Sequence, residues 1–246
     1  DGKLTPYGKV ELNNMLNRGA QITVATAQTP ATLMPPLREL HLALPVVAMD
    51  GAVLYDIRTK TFLHSYVISQ AVTGELNRFL TGQGYHHFVN VVMEDMLVIY
   101  YQDFQCPAAE QVYQTLRTSP YRNYVHGEVP EGAAAVYFLV VEEKGRMQRL
   151  RQLLEEAGYA AELKLAWSEP EEFSGTVFLR IYSQNATIPH MLEYLQQEAG
   201  ASRMVTIGTS PEADVTVPAG QPNRTVKALK RRFASFFWER EKTKLS

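Results

Sequence analysis

The sequence predicts an α/β protein whose parallel-sheet core is split in sequence around an inserted α+β segment. Three observations carry this. Helical and short buried-strand patterns alternate from Val10 to Ala48, a run of strands with antiparallel character fills the middle, and the first pattern returns after Tyr182.

Val10, Leu12, Met15 and Leu16 share one helical face, and Gly19 supplies the stop. Residues 21–26 (QITVAT) read as a short buried strand. Thr29 and Pro30 form an N-cap and first helical residue, opening a helix to about residue 40 on a stripe of Leu33, Met34, Leu37 and Leu40. Residues 45–48 are a second buried strand, ending at the turn signal Asp50-Gly51. Strand, helix and strand joined by short connections imply a right-handed parallel crossover.

The middle reads as a strand at 62–67, a helix at 70–80 and a hairpin of 85–93 with 96–101 around Glu94-Asp95. A short helix covers 111–116. A strand at 133–141, a helix at 145–157 and strands at 160–167 and 175–182 complete the insert. Beyond it, Thr187-Ile188-Pro189 starts a helix with Met191, Leu192 and Leu195 inward and Gly200 as its stop. Short strands follow at 204–207 and 215–217, and a last helix at 225–240 carries Val226, Leu229, Phe233 and Phe236 or Phe237. The expected division is a core of residues 1–58 and 180–246 and an insert of 59–179.

Composition narrows the function. The 24 basic and 26 acidic residues nearly cancel, so no overall field points to nucleic acid or an anionic membrane. A single cysteine, Cys106, excludes an intramolecular disulfide framework and a cysteine-based zinc cluster, and a reducing cytoplasm is the expected location. The longest apolar run, 133–141, is far shorter than the roughly 20 residues that span a bilayer. His86 and His87 are neighbours on a strand and point to opposite faces, so they cannot share a metal; His41, His64, His126 and His190 are scattered. Glu169, Glu171 and Glu172 read as a solvated loop. The basic C-terminal segment, with Phe233, Phe236, Phe237 and Trp238 interleaved, reads as a last domain helix in preference to a docking helix.

A strand that ends in a hydroxyl residue and runs into a helix N-terminus is a phosphate site in principle. Thr26 offers the hydroxyl and the free N–H groups after Thr29 the donors. The stretch GAQITVATAQTPATLMPPLRELHLALPVVAMDGAVLYD, residues 19–56, closely resembles the second-motif region of Cof-type phosphatases in the haloacid dehalogenase superfamily. The resemblance continues at Val205-Thr206-Ile207-Gly208, at residues 213–217 and at residues 226–229. It implies a Rossmann-like core with the insert as an α+β cap.

It also implies a chemistry: an Asp nucleophile, a second Asp two residues later as acid/base, a Thr and a Lys on the phosphoryl group, and late acidic residues holding Mg²⁺. A carboxylate approaches a phosphate dianion only where metal and lysine neutralise the gathered charge. Asp1-Gly2-Lys3-Leu4 is too close to Thr26 to be the nucleophile motif, and Leu4-Thr5-Pro6 matches the stretch after it, so both catalytic Asp residues are expected upstream of residue 1. Thr26 matches the phosphate-binding Thr, but Gln28 stands at a common Arg position. Asp50 replaces the usual Asn before Gly51. Ile188 falls at the lysine position, with Arg180 and His190 nearby but not substituting for it. Thr209 falls at the metal-binding Asp, and part of the following loop is missing; Glu212 or Asp214 offers one carboxylate each.

The expectation is therefore a haloacid-dehalogenase-like protein without catalytic residues or a cofactor. Thr26, Ala27 and Gln28 would be a remnant phosphate-binding loop, with Asp50, Gly51, Thr209 and Glu212 lining the cleft. Its ligand would be a phosphorylated small molecule or a protein partner, bound between core and cap. The alternative is a Mg²⁺-dependent phosphatase of sugar phosphates or similar monoesters with its nucleophile motif upstream. A further expectation is geometric. Without a nucleophile strand, residues 22–26 and 204–207 must pair directly, or another segment must fill the gap, because unpaired buried backbone is costly.

Overall fold

Thr5 and Pro6 open the first helix. The Thr5 hydroxyl accepts from the Gly8 amide, and Pro6 takes a first-turn position whose N–H would have had no helical acceptor. The structure, a computed structural model, describes residues 4–104 and 106–245, with side chains followed as far as Phe233 in the last helix. Helix α1 (Pro6–Asn17) buries Leu12, Met15 and Leu16, as its stripe predicts. Helix α2 (Pro30–Leu37) stops earlier than expected: Pro35 and Pro36 remove two N–H donors near its end.

Strands β1 (Val46–Ala48), β2 (Val53–Asp56) and β3 (Thr61–Ser65) form an antiparallel sheet in that order. β2 escaped the sequence reading because its residues are buried on both faces and show no alternation. Residues 21–26 make one parallel bridge, Ala25 to Val47, and not the full strand expected. The Thr26 N–H donates to Val47 O at 3.0 Å and the Val47 N–H to Val24 O at 2.8 Å, so the direction of the crossover is parallel as expected.

The chain then builds α3 (Gln70–Gly82), β4 (His87–Met93), β5 (Met96–Tyr101), α4 (Pro107–Leu116), β6 (Asn123–His126), β7 (Tyr137–Glu143), α5 (Lys144–Glu156), α6 (Tyr159–Glu162), β8 (Leu163–Ser168) and β9 (Thr176–Ser183). Its six strands run β6-β5-β4-β7-β9-β8, antiparallel except for β5 with β6. The expected hairpin stands: Glu94 and Asp95 both take positive φ, 46° and 61°. The strand expected from residue 133 begins at Tyr137, and the one expected from 160 begins at Leu163 after the single turn of α6. β6, short and mostly exposed, lacks the apolar alternation that would have marked it.

The two faces of this sheet have different partners. Val89, Val91, Val140, Leu179 and Ile181 pack against Leu76 and Leu80 of α3 and Leu150 and Leu154 of α5. On the other face Phe88, Leu97, Ile99, Tyr137, Leu139, Phe178 and Tyr182 share one apolar cluster with α1, α2 and β1. This face of the sheet therefore packs against the rest of the chain.

Helix α7 (Ile188–Glu198) puts Met191 and Leu195 against Val47 and Leu54. Strands β10 (Ile207–Gly208) and β11 (Val215–Thr216) form a parallel pair, each shorter than expected. Helix α8 (Pro222–Leu245) starts before the expected residue 225 and packs on α1, with Val226 buried and Lys230 paired to Glu11 at 2.8 Å. That supports the domain-helix reading as far as Phe233; the side chains of Phe236, Phe237 and Trp238 lie outside the described residues. Residues 22–26 do not pair with 204–207. Among the described residues, no strand fills the far flank of either segment.

Candidate functional site

The loop from Thr26 into α2 is held by four hydrogen bonds. The Thr26 hydroxyl accepts from the Gln28 N–H at 3.2 Å, which folds the loop back on itself. The Thr26 carbonyl accepts from the Asp50 N–H at 3.0 Å, the Gln28 carbonyl from the Met49 N–H at 2.8 Å, and the Val47 carbonyl from the Thr26 N–H. Thr26 is half-buried while Ala27 and Gln28 are exposed. Thr29, at the N-cap of α2, does not cap the helix with its side chain; its hydroxyl instead accepts from Arg122 Nη2 at 3.2 Å, and Thr32 does so at 3.3 Å. Arg122 leads into β6, so the sheet above contributes a guanidinium to a helix N-terminus, where anions are favoured.

Opposite this loop the chain turns through three consecutive residues with positive φ: Met49 at 51°, Asp50 at 58° and Gly51 at 90°. A Cβ on Gly51 would collide with the backbone of Thr187, so glycine is required there. The Asp50 carboxylate accepts from Lys164 Nζ at 2.8 Å, and its carbonyl accepts from the same ammonium at 3.0 Å. The ammonium also donates to the Ala186 carbonyl and lies 4.7 Å from the centroid of the Tyr182 ring. Burial raises the Tyr182 hydroxyl well above its ordinary pKa, with the charges of Tyr137 and Asp50 adding smaller pushes. The hydroxyl therefore stays protonated.

The structure thus brings Thr26, Gln28, Asp50 and Gly51 together. It does not join Thr209 or Glu212 to them through any hydrogen bond among the described residues. Glu212 donates its N–H to Ser210 within its own exposed loop. Asp214 is engaged by the Thr206 N–H at 2.7 Å and hydroxyl at 2.8 Å, bonds that hold its carboxyl below the usual range. Ile188 is the first residue of α7, and Arg180 donates to the Ser168 hydroxyl at 2.9 Å. Lys164 escaped the sequence reading. The available signal was a lone lysine in a strand whose neighbours Leu163 and Ala166 face opposite apolar clusters.

A hydroxyl-bearing loop entering a helix under a mixed six-stranded sheet defines an α/β fold with a cap. The chain belongs to the haloacid dehalogenase-like hydrolase family, whose model matches residues 1–208. Among solved structures it resembles a protein from Thermotoga maritima, with a TM-score of 0.66 at 14% identity over 85% of this chain and 74% of that one. It also resembles a protein analysed among phosphatases of the haloalkanoate superfamily from Bacteroides thetaiotaomicron, with a TM-score of 0.64 at 13% identity over 94% and 88%. A subclass IIB sugar phosphatase gives a TM-score of 0.58 at 14% identity over 83% and 74%. No curated protein matches in sequence.

The family implies Mg²⁺, and the oxygens present do not fit it. Among the described residues no group of three acidic, histidine or cysteine side chains is placed to hold a metal. The Asp50 carboxylate is tied to an ammonium and that of Asp214 to Thr206, which leaves too few hard ligands for an octahedral ion. No described helix is long and apolar enough to cross a membrane.

Proposed function

We propose that this chain binds a phosphorylated small molecule, or a partner presenting such a group, between core and cap without turning it over. The core in this reading is residues 1–58 and 180–246 and the cap 59–179. One observation carries it. Donors collect at the loop that follows Thr26, where Thr29 and Thr32 meet Arg122 at the start of α2, whereas the carboxylate of Asp50, whose N–H bonds to the loop, is neutralised by Lys164. Ile188 and Thr209 at the family's lysine and metal positions remove the charges that turnover requires. Calorimetric titration with sugar phosphates, with and without Mg²⁺, should show saturable binding and no phosphate release. Thr26→Val should weaken it. Release at about 1 s⁻¹ or faster, within the ordinary range of enzymes, would overturn the reading.

A second reading is favoured by the free flanks of residues 22–26 and of β10. Among the described residues no strand pairs with these two edges, which suits an added strand, and an Asp-x-Asp-Gly-Thr strand encoded upstream of Asp1 would make the chain a Mg²⁺-dependent phosphatase; two of the similar structures are named as phosphatases. Expression of the extended coding sequence, assayed with Mg²⁺ and sugar phosphates, decides between the two.

A further inference from the structure

We propose that Lys164 is a positioning residue that couples the seating of the cap to the shape of the Thr26–Gln28 loop. The coupling rests on geometry alone; its functional meaning rests on the anion site inferred above. Lys164 stands on β8 directly opposite Tyr182 of β9, on the face that packs against the core. Its ammonium has three protons and meets three oxygens: the Asp50 carboxylate and carbonyl, and the carbonyl of Ala186. Asp50 belongs to the segment that enters the cap, and Ala186, fully buried, to the one that leaves it. One cation thus ties a cap strand to both connections.

The turn it grips is one the backbone resists. Left-handed conformations at Met49 and Asp50 each cost on the order of 1 kcal/mol or more and persist only where the surroundings over-determine them. Lys164 binds Asp50 through main chain and side chain together, which is the kind of constraint required. The turn in turn holds the loop, because Asp50 donates to the Thr26 carbonyl and Met49 to the Gln28 carbonyl. A displacement of β8 relative to the core therefore reaches Thr26 through two links. With all three ammonium protons engaged, Lys164 is a structural tie for the site and not one of its ligand contacts.

Amide hydrogen exchange on the full chain, without ligand, tests the coupling. In Lys164→Met the amides of Met49 and Asp50 should exchange at least about tenfold faster while those of Val140 and Leu179 in the central cap strands keep their rates. Lys164→Arg should restore part of the protection. Unchanged rates at Met49 and Asp50, or an equal rise across the cap sheet, would refute it. If Lys164→Met does not fold, Asp50→Asn, which removes the charge and keeps the side chain's shape, should show the same local rise, and its absence would be equally fatal. Titration of the wild type with inorganic phosphate tests the anion site independently, so failure to bind refutes the proposed function and not the coupling.

Discussion

Gly51 shows how little freedom a single residue has at the junction of core and cap. Its φ of 90° and the Thr187 backbone beside it both forbid a side chain. Gly51→Ala should therefore cost about 3 kcal/mol or prevent folding, as denaturant titration would report. His86 makes a second residue-level case. It is buried, its ring packs against Phe88 and Phe104, and its Nε2 has no hydrogen-bond partner among the described residues. Burial, aided by its neighbour His87, lowers its pKa from the ordinary 6.5 to about 4, and burial also lowers that of His87. The folded state thus resists a proton that the unfolded chain accepts. Stability is fully present above about pH 6.5 and is lost as pH falls toward 4. Urea titrations at pH 7 and pH 5 should show this loss, and His86→Leu should reduce it. Adjacent histidines could be assigned to opposite faces from the sequence, but their burial could not, because that of His86 depends on Phe104 in the loop after β5 and that of His87 on Asn77 of α3 and Phe138 of β7.

At the scale of elements, the hairpin between β4 and β5 sets two local demands against each other. Both turn residues are left-handed, which favours Asn-Gly over Glu-Asp. Glu94→Asn should raise stability by a few tenths of a kcal/mol in thermal melts. Asp95→Gly should not, because the Asp95 carboxylate accepts from the Phe62 N–H at 2.9 Å and links the hairpin to β3. Helix α5 shows the value of a plain stripe. Leu150 and Leu154, four residues apart on one helical face, are fully buried, and Leu150→Ala should cost about 2–5 kcal/mol. The strands at 21–26 and 204–207 illustrate the reverse. Their composition suits a buried strand, yet a strand exists only where a neighbour pairs with it, so one shrinks to a bridge and the other to two residues.

Across the whole molecule, the main apolar cluster includes residues of α1, α2, β1 and the core-facing side of the six-stranded sheet. Cap and core share a core and should not melt separately. A single cooperative transition, with coincident midpoints by near- and far-ultraviolet dichroism, is the expected result. Lys164 and Arg122 add polar ties across the same contact.

Legible in the amino-acid order were the α/β class, the insertion between two halves of a core, the helices carrying apolar stripes, the hydroxyl at the end of the 21–26 segment and the glycine at the turn. Those are local properties, set by periodicity, capping and turn chemistry within a few residues. It took the folded chain to bring Lys164, distant in sequence, onto Asp50 and Arg122 to Thr29, and to leave two strand-like segments each with a flank that no strand among the described residues pairs. Those depend on which backbone and side-chain groups meet across the sheet, and neither charge nor hydrogen-bonding capacity names its partner until the chain has folded.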